Sequence, residues 1–179
     1  MRATGVVRRI DDLGRIVIPK EIRRTMRMRE GDPLEIFTGA DGEIILKKYS
    51  IMAELSQFSQ SYAESLYKVS GMQCVIFDND KIIAATGAGK KDIIGISASS
   101  DIENLLRQRT AYFRQYTSEK TIVPYLHSDM KVVGAVPVIV SGDGVGMVSL
   151  ISARDEILND THKKLLVLTS TLLAEHLEI

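Results

Sequence analysis

Apolar positions follow two rules along this chain, and the change of rule falls near residue 50. Before it they come in short β-branched runs: Val6–Ile10, Ile16–Ile18, Leu34–Thr38 and Glu43–Lys48. Val and Ile suit the pleated, half-buried surface of a strand. The runs are separated by turn chemistry, Asp11-Asp12-Leu13-Gly14 and Gly39-Ala40-Asp41-Gly42. Asp bonds its own backbone in such turns and Gly accepts positive φ. Pro19 ends the second run and suits the first turn of a helix, where its missing N–H is no loss. The pattern predicts four short strands and one short helix. Several strands are apolar on both faces, which suits strands buried on both sides, as in an intertwined dimer; a lone four-stranded sheet would not bury them.

After residue 50 the periods lengthen. Ser50 is a candidate N-cap for a helix of about five turns with Ile51, Leu55, Phe58, Tyr62, Leu66 and Val69 on one stripe, ending near Gly71. Cys74–Asp78 and Lys81–Ala85 read as a hairpin, and Ser100 with Glu103 as a capping box opening a helix to about Arg109. Residues 111–131 are less regular. Val132–Val140 and Val145–Ile151 form a hairpin around Ser141-Gly142-Asp143-Gly144. A last helix from about Asp160 carries Leu165, Leu168, Leu172 and Leu173 on one side. The expectation is an α+β chain of two domains, 1–50 and 51–179.

Charge sharpens that division. The chain has 179 residues and zero formal net charge, but residues 1–50 carry 11 Lys/Arg against 8 Asp/Glu, and the remainder 12 against 15. Between Arg2 and Arg29 there are nine Lys/Arg and three Asp/Glu, a local net of +6. At about 100° per residue, Ile22 and Met26 share one side of the short helix, while Lys20, Arg23, Arg24 and Arg27 gather on the other. A basic surface on a compact scaffold is the footprint of a polyanion binder.

The run G-V-V-R-R-I-D-D-L-G-R-I-V-I-P-K-E-I-R-R-T, with L-E-I-F and I-I-L-K-K-Y further on, resembles the AbrB family of bacterial swapped-hairpin DNA-binding domains over about 50 residues. The resemblance implies a barrel made by interleaving hairpins from two chains. It also implies DNA contacts from Arg8, Arg15, Arg23 and Arg24. Arg9 and Arg27 are secondary candidates. The second half resembles a GAF-type sensory domain, its signature hairpin being G-A-V-P-V-I-V-S-G-D-G-V-G-M-V-S-L-I. Members of that family often pair their first and last helices across a dimer. The apolar stripes on both terminal helices allow such a bundle, and equally allow each helix to cover its own sheet. The two-domain order is similar to regulators of spore development.

Other chemistry is weakly represented. Gly87–Lys91 fails the phosphate-loop pattern, since Ala84 stands where its first glycine belongs and Lys91 follows Lys90 where Ser or Thr is required. His127, His162 and His176 share no metal spacing. Cys74, the single cysteine, opens an apolar strand and is expected in the core. Tyr112, Phe113, Tyr116 and Tyr125 are candidates to line a ligand pocket, its ligand unknown. No apolar run approaches the ~20 residues that span a bilayer, and the Met-Arg-Ala-Thr-Gly start lacks a signal's apolar core. The resulting expectation is a cytoplasmic, non-enzymatic, DNA-binding transcription regulator of sporulation genes. It needs no metal or cofactor and contacts no membrane. Its partners are double-stranded DNA and itself, as a homodimer through the first domain and a tetramer through the carboxy-terminal helices. The alternatives are an antitoxin-type module and a small-molecule sensor.

Overall fold

The computed structural model describes residues 5–87, 89–116 and 120–178. The chain divides into two compact units, Met1–Tyr49 and Ser50–Ile179.

The first unit contains α1 (Lys20–Thr25), β1 (Leu34–Thr38) and β2 (Ile44–Lys48). β1 and β2 pair antiparallel from Leu34↔Lys48 to Thr38↔Ile44. The hairpin closes through Gly39 N–H donating to the Glu43 carbonyl (2.8 Å), with Gly42 at φ +75°. The runs expected as strands at 6–10 and 16–18 carry no ladder among the described residues. Apolar patterning marks residues fit for a sheet, but a ladder also needs a neighbouring strand, and β1 and β2 have only each other here. What joins the two runs is the turn, where Gly14 N–H donates to the Asp11 carbonyl (3.0 Å) and Asp11 N–H to the Arg15 carbonyl (3.1 Å).

The second unit is a five-stranded antiparallel sheet with both faces covered. Its strands are β3 (Gln73–Phe77), β4 (Ile82–Ala85), β5 (Tyr112–Phe113), β6 (Lys131–Val140) and β7 (Asp143–Ser152), in the order β4-β3-β7-β6-β5. Strand residues alternate between two cores. Cys74, Ile76, Val148 and Leu150 join Ala63 and Leu66 of α3 (Ser56–Ser70), and Leu166 and Leu173 of α6 (Asp160–Leu177). Val75, Phe77, Met147 and Ile151 pack with Ile102 and Leu106 of α5 (Ser100–Gln108). Double burial explains why these strands read as nearly continuous apolar runs. Cys74 lies fully buried in the first core, and burial pushes its thiol pKa up. β6 and β7 meet at Ser141-Gly142, both at positive φ (50° and 85°), the two-residue turn that matches strand twist. Backbones approach closely here: a Cβ on Gly146 would lie 2.6 Å from the Phe77 carbonyl oxygen.

Several local expectations shift. The first helix of this unit is two pieces, α2 (Ile51–Glu54) and α3, broken at Leu55; Ser50 does cap α2, accepting from Ala53 N–H (3.2 Å). The buried face of α3 is Ser59, Ala63 and Leu66, leaving Phe58 and Val69 exposed. On α6, Leu166, Thr169, Ser170 and Leu173 are buried and Leu168 faces out. Apolar spacings of three and four fit two adjacent faces of a helix, and the sheet selects one. The cap of α5 is Ser99, whose Oγ accepts from Ile102 N–H, one residue before the predicted box. Part of the predicted glycine-rich loop is helical, α4 (Lys90–Ile93), while Ala88 lies outside the described residues.

Candidate nucleic-acid interface

The arginines singled out in the sequence occupy three features of the first unit. Arg8 and Arg9 lie on the first apolar run and are exposed; Arg8 Nη1 donates to the carbonyl of Val7 (3.0 Å). Arg15 leaves the turn, which Asp11 organises. Asp11 Oδ1 accepts from the backbone N–H of Leu13 (3.0 Å) and of Arg15 (2.7 Å), and Oδ2 from Arg15 Nε (2.8 Å). The Arg15 N–H, followed by its guanidinium, holds the Asp11 carboxyl below the usual carboxylate range. Gly14 at φ +76° makes the turn possible.

Arg23 and Arg24 stand in the last turn of α1, where a cation favours the negative end of the helix dipole. Arg24 is exposed and Arg23 half-buried, its Nε shielded with no acceptor among the described residues. Arg27 is not on the helix. α1 ends at Thr25, Met26 is its C-cap, and Arg27 adopts a left-handed backbone, φ 52°. Arg27 N–H donates to the Arg24 carbonyl (3.2 Å) and Met28 N–H to the Arg23 carbonyl (2.7 Å). That pair of bonds is a Schellman ending, whose left-handed position is usually glycine. Lys48 Nζ donates to the Arg27 carbonyl (2.9 Å) and pairs with Asp32 (3.5 Å), tying β2 to the helix exit. The role of Lys48 has no signature in the sequence, because 21 residues separate it from Arg27.

The arrangement can neutralise an extended polyanion. Arginine forks bind phosphate or guanine bidentately, and these forks are spread over strand-like run, turn exit and helix.

The aromatics expected around a ligand pocket in the second unit do not converge. Tyr112 and Tyr125 pack on one core and Phe113 on the other, because successive residues of β5 face opposite ways; Tyr116 is exposed. A cavity of about 370 Å³ lies instead at the ends of β3 and β7, lined among others by Met72, Gln73, Met130, Ile151 and Arg154. Among the described residues no three His, Cys, Asp or Glu side chains gather as a metal site, and no helix is long and apolar enough to cross a membrane.

Comparison with known proteins now settles the family. A family profile described as "Stage V sporulation protein T C-terminal, transcription factor" matches residues 54–178. Stage V sporulation protein T of Bacillus subtilis (strain 168) is 43% identical over 178 residues, 99% of each chain. The chain belongs to the stage V sporulation protein T family. The first 50 residues of this family member have further relatives. The transition state regulatory protein AbrB of Bacillus subtilis is 57% identical over 49 residues, 27% of this chain and 50% of that protein. A profile for the bacterial antitoxin MazE matches residues 7–52. The GAF domain of an Acinetobacter phosphoenolpyruvate-protein phosphotransferase has a TM-score of 0.55 at 11% identity, covering 73% of this chain and 84% of that one. A GAF/HD domain protein from Geobacter sulfurreducens has a TM-score of 0.51 at 17% identity, covering 71% and 95%. At such identities the likeness is one of fold, and it assigns the GAF fold. The α+β chain thus joins an AbrB-like first domain to a GAF-like second one in a family of transcription factors.

Proposed function

We propose that this chain binds double-stranded DNA through residues 1–50 and regulates transcription of sporulation genes. Residues 51–179 serve as the oligomerising and sensing part. Arg8, Arg15, Arg23 and Arg24 carry the DNA contacts, with Arg9 and Arg27 beside them. Two chains interleave their first domains into one reader. Exposed apolar residues on α3 and α6, Phe58 and Leu168 among them, support pairing of the second domains into a tetramer. Two linked readers raise effective concentration on DNA. The regulator works in the cytoplasm, without catalysis.

The observation that carries the reading is a single combination in the first unit. Arg8, Arg9, Arg15, Arg24 and Arg27 are exposed on it, while apolar residues that strands normally bury stand open to solvent, Val7 at 84% and Val17 at 73%. The first feature fits a polyanion and the second fits another copy of the same chain. The test is fluorescence anisotropy of the full chain on duplex DNA across a salt series, beside Arg23→Ala with Arg24→Ala. The native log–log slope should be steep. The double variant should lose roughly three to four units of it, about 0.9 for each of two phosphate contacts in each of the two paired chains, while sedimenting as the native oligomer. Equal slopes would overturn the assignment.

The match of residues 7–52 to the antitoxin profile favours a second reading, a DNA- and toxin-binding module. Capture of a stoichiometric toxin partner would support it. A folded second domain with its own two cores stands where a flexible toxin-wrapping tail would be.

A further inference from the structure

We infer that Asp11 is the positioning residue for Arg15, fixing how its guanidinium is presented to DNA and so contributing to sequence selectivity. The inference rests on the reading that the first domain binds DNA. Five hydrogen bonds relate Asp11 to its own turn. Its Oδ1 accepts from Leu13 N–H and Arg15 N–H, and its Oδ2 from Arg15 Nε. Its backbone N–H donates to the Arg15 carbonyl, and its carbonyl accepts from Gly14 N–H. One carboxylate thus references both the main chain and the side-chain end of Arg15.

The chemistry of the fork gives this its meaning. An arginine on a surface turn ordinarily samples many rotamers, and ordering them opposes binding. A bond from Nε to Asp11 Oδ2 removes part of that freedom in advance. It also uses only the Nε side of the guanidinium. The Nη1/Nη2 edge, the pair of prongs that fits guanine O6/N7 or two phosphate oxygens, is what is left to bind a second acceptor. Arg15 remains 69% exposed and Asp11 37%, so both stay reachable.

Electrostatics argues against a role in simple attraction. A carboxylate 2.8 Å from a DNA-facing arginine cancels part of its charge and repels phosphate. It sits in a stretch whose net charge is otherwise strongly positive. If phosphate attraction were all that mattered, Asp11 would be a handicap. Its effect belongs in discrimination between sequences, where geometry counts, and not in total attraction.

The experiment uses the full chain and two duplexes of equal length, one enriched by the native protein from a random-sequence pool and one of mixed sequence. Asp11→Asn keeps an acceptor oxygen for the backbone N–H groups and removes the charge. Its preference for the enriched duplex should fall about tenfold, the scale of one bidentate base contact, while its affinity for the mixed duplex holds or rises. In an Arg15→Ala background Asp11→Asn should change the preference no further. Arg15→Lys keeps the charge and leaves Asp11 intact but lacks the fork, and it should lose the preference as Arg15→Ala does; native selectivity in it would overturn the inference even if Asp11→Asn proves misfolded. Undiminished preference in folded Asp11→Asn, an equal loss with and without Arg15, or native selectivity in Arg15→Lys would each overturn the inference. If the native protein shows no salt-dependent binding to either duplex, it is the DNA-binding reading that fails.

Discussion

The two units both hold many apolar residues and dispose of them in opposite ways. Among the described residues up to Tyr49 none is buried, and Val7, Ile10, Leu13, Val17, Ile36 and Ile44 are largely exposed. In the second unit the sheet has a packed core on each face. A β-branched run is the same local signal in both places. What differs is whether the covering surface lies in the same chain. For β3 and β7 it does, as α3, α5 and α6. For the runs at 6–10 and 16–18 it does not; under the proposed pairing a second copy supplies it, and burying even one valine or isoleucine there is worth about 1.5–3 kcal/mol. The contrast is between a unit whose sheet is covered within its own chain and one whose apolar runs are not; the proposed pairing would complete the second.

The largest effect that bears on this contrast should come from Val17→Asp. On a surface open to solvent such a change would stay within about 0.5 kcal/mol. With a second chain covering Val17, it should abolish dimerisation of the first domain and its amide protection, while the thermal transition of the second domain stays in place. Sedimentation velocity with hydrogen exchange reads both. An unchanged dimer would remove the contrast altogether.

Leu166→Ala tests the other side. Leu166 is fully buried beneath the sheet, so the change should cost about 2–5 kcal/mol of second-domain stability in denaturant titration. The domain-one hydrogen-exchange pattern should be untouched. Coupled loss of both would show that the first unit depends on the second.

Arg27→Gly should have a smaller and two-signed effect. Arg27 holds a left-handed backbone at a position where glycine is the usual residue. Glycine there should raise stability by up to about 1 kcal/mol and lower the salt slope of DNA binding by roughly two units, one contact from each chain of the pair. A gain in stability with the slope intact would make Arg27 only a strained cap.

The smallest effect is pH dependence. Asp11 is depressed chiefly by the Arg15 backbone N–H, Glu64 by its bond from Lys90, and Asp155 by its bond from Lys131. A depressed carboxyl favours folding in its charged form. That contribution is complete above the ordinary carboxylate range and fades as pH falls through the lowered values, below about pH 4. All three are solvent-accessible, so the loss is modest. Melting curves from neutrality to about pH 3 should flatten for Asp155→Asn in the second domain alone. A pH profile unchanged by that substitution would dismiss the Lys131–Asp155 pair as a contributor.

Much of this could be read beforehand, and the misses share a cause. Ser141-Gly142 between apolar runs announced a hairpin, and Ser50 and Asp160 marked helix starts, because each depends on bonding within a few residues. The exposed position of Leu168 and the buried one of Leu166 were not legible: both satisfy a spacing of three or four, and only the sheet beneath α6 chooses between them. Arg27 was expected on the cationic face of the helix, yet α1 stops two residues before it, at Thr25, and its exit is held by Lys48 from β2. The arginines proposed to contact DNA stood out in the sequence as a motif, but the Asp11 clamp on Arg15 did not, since a turn of that composition needs only the backbone bonds.

By itself, then, the sequence determined the local matters: where the turns fall, that Leu34–Thr38 and Val132–Val140 open hairpins, that Pro19 precedes a helix, and that charge gathers before residue 30. Short-range sterics and hydrogen bonding decide these, and they act over four or five residues. The tertiary structure alone decided which helix faces are buried, that Lys48 reaches the Arg27 carbonyl at the exit of α1, and which apolar runs find no cover within their own chain. Those depend on surfaces brought together from distant parts of the sequence, and a pattern of residue types records that a surface must be covered without recording by what.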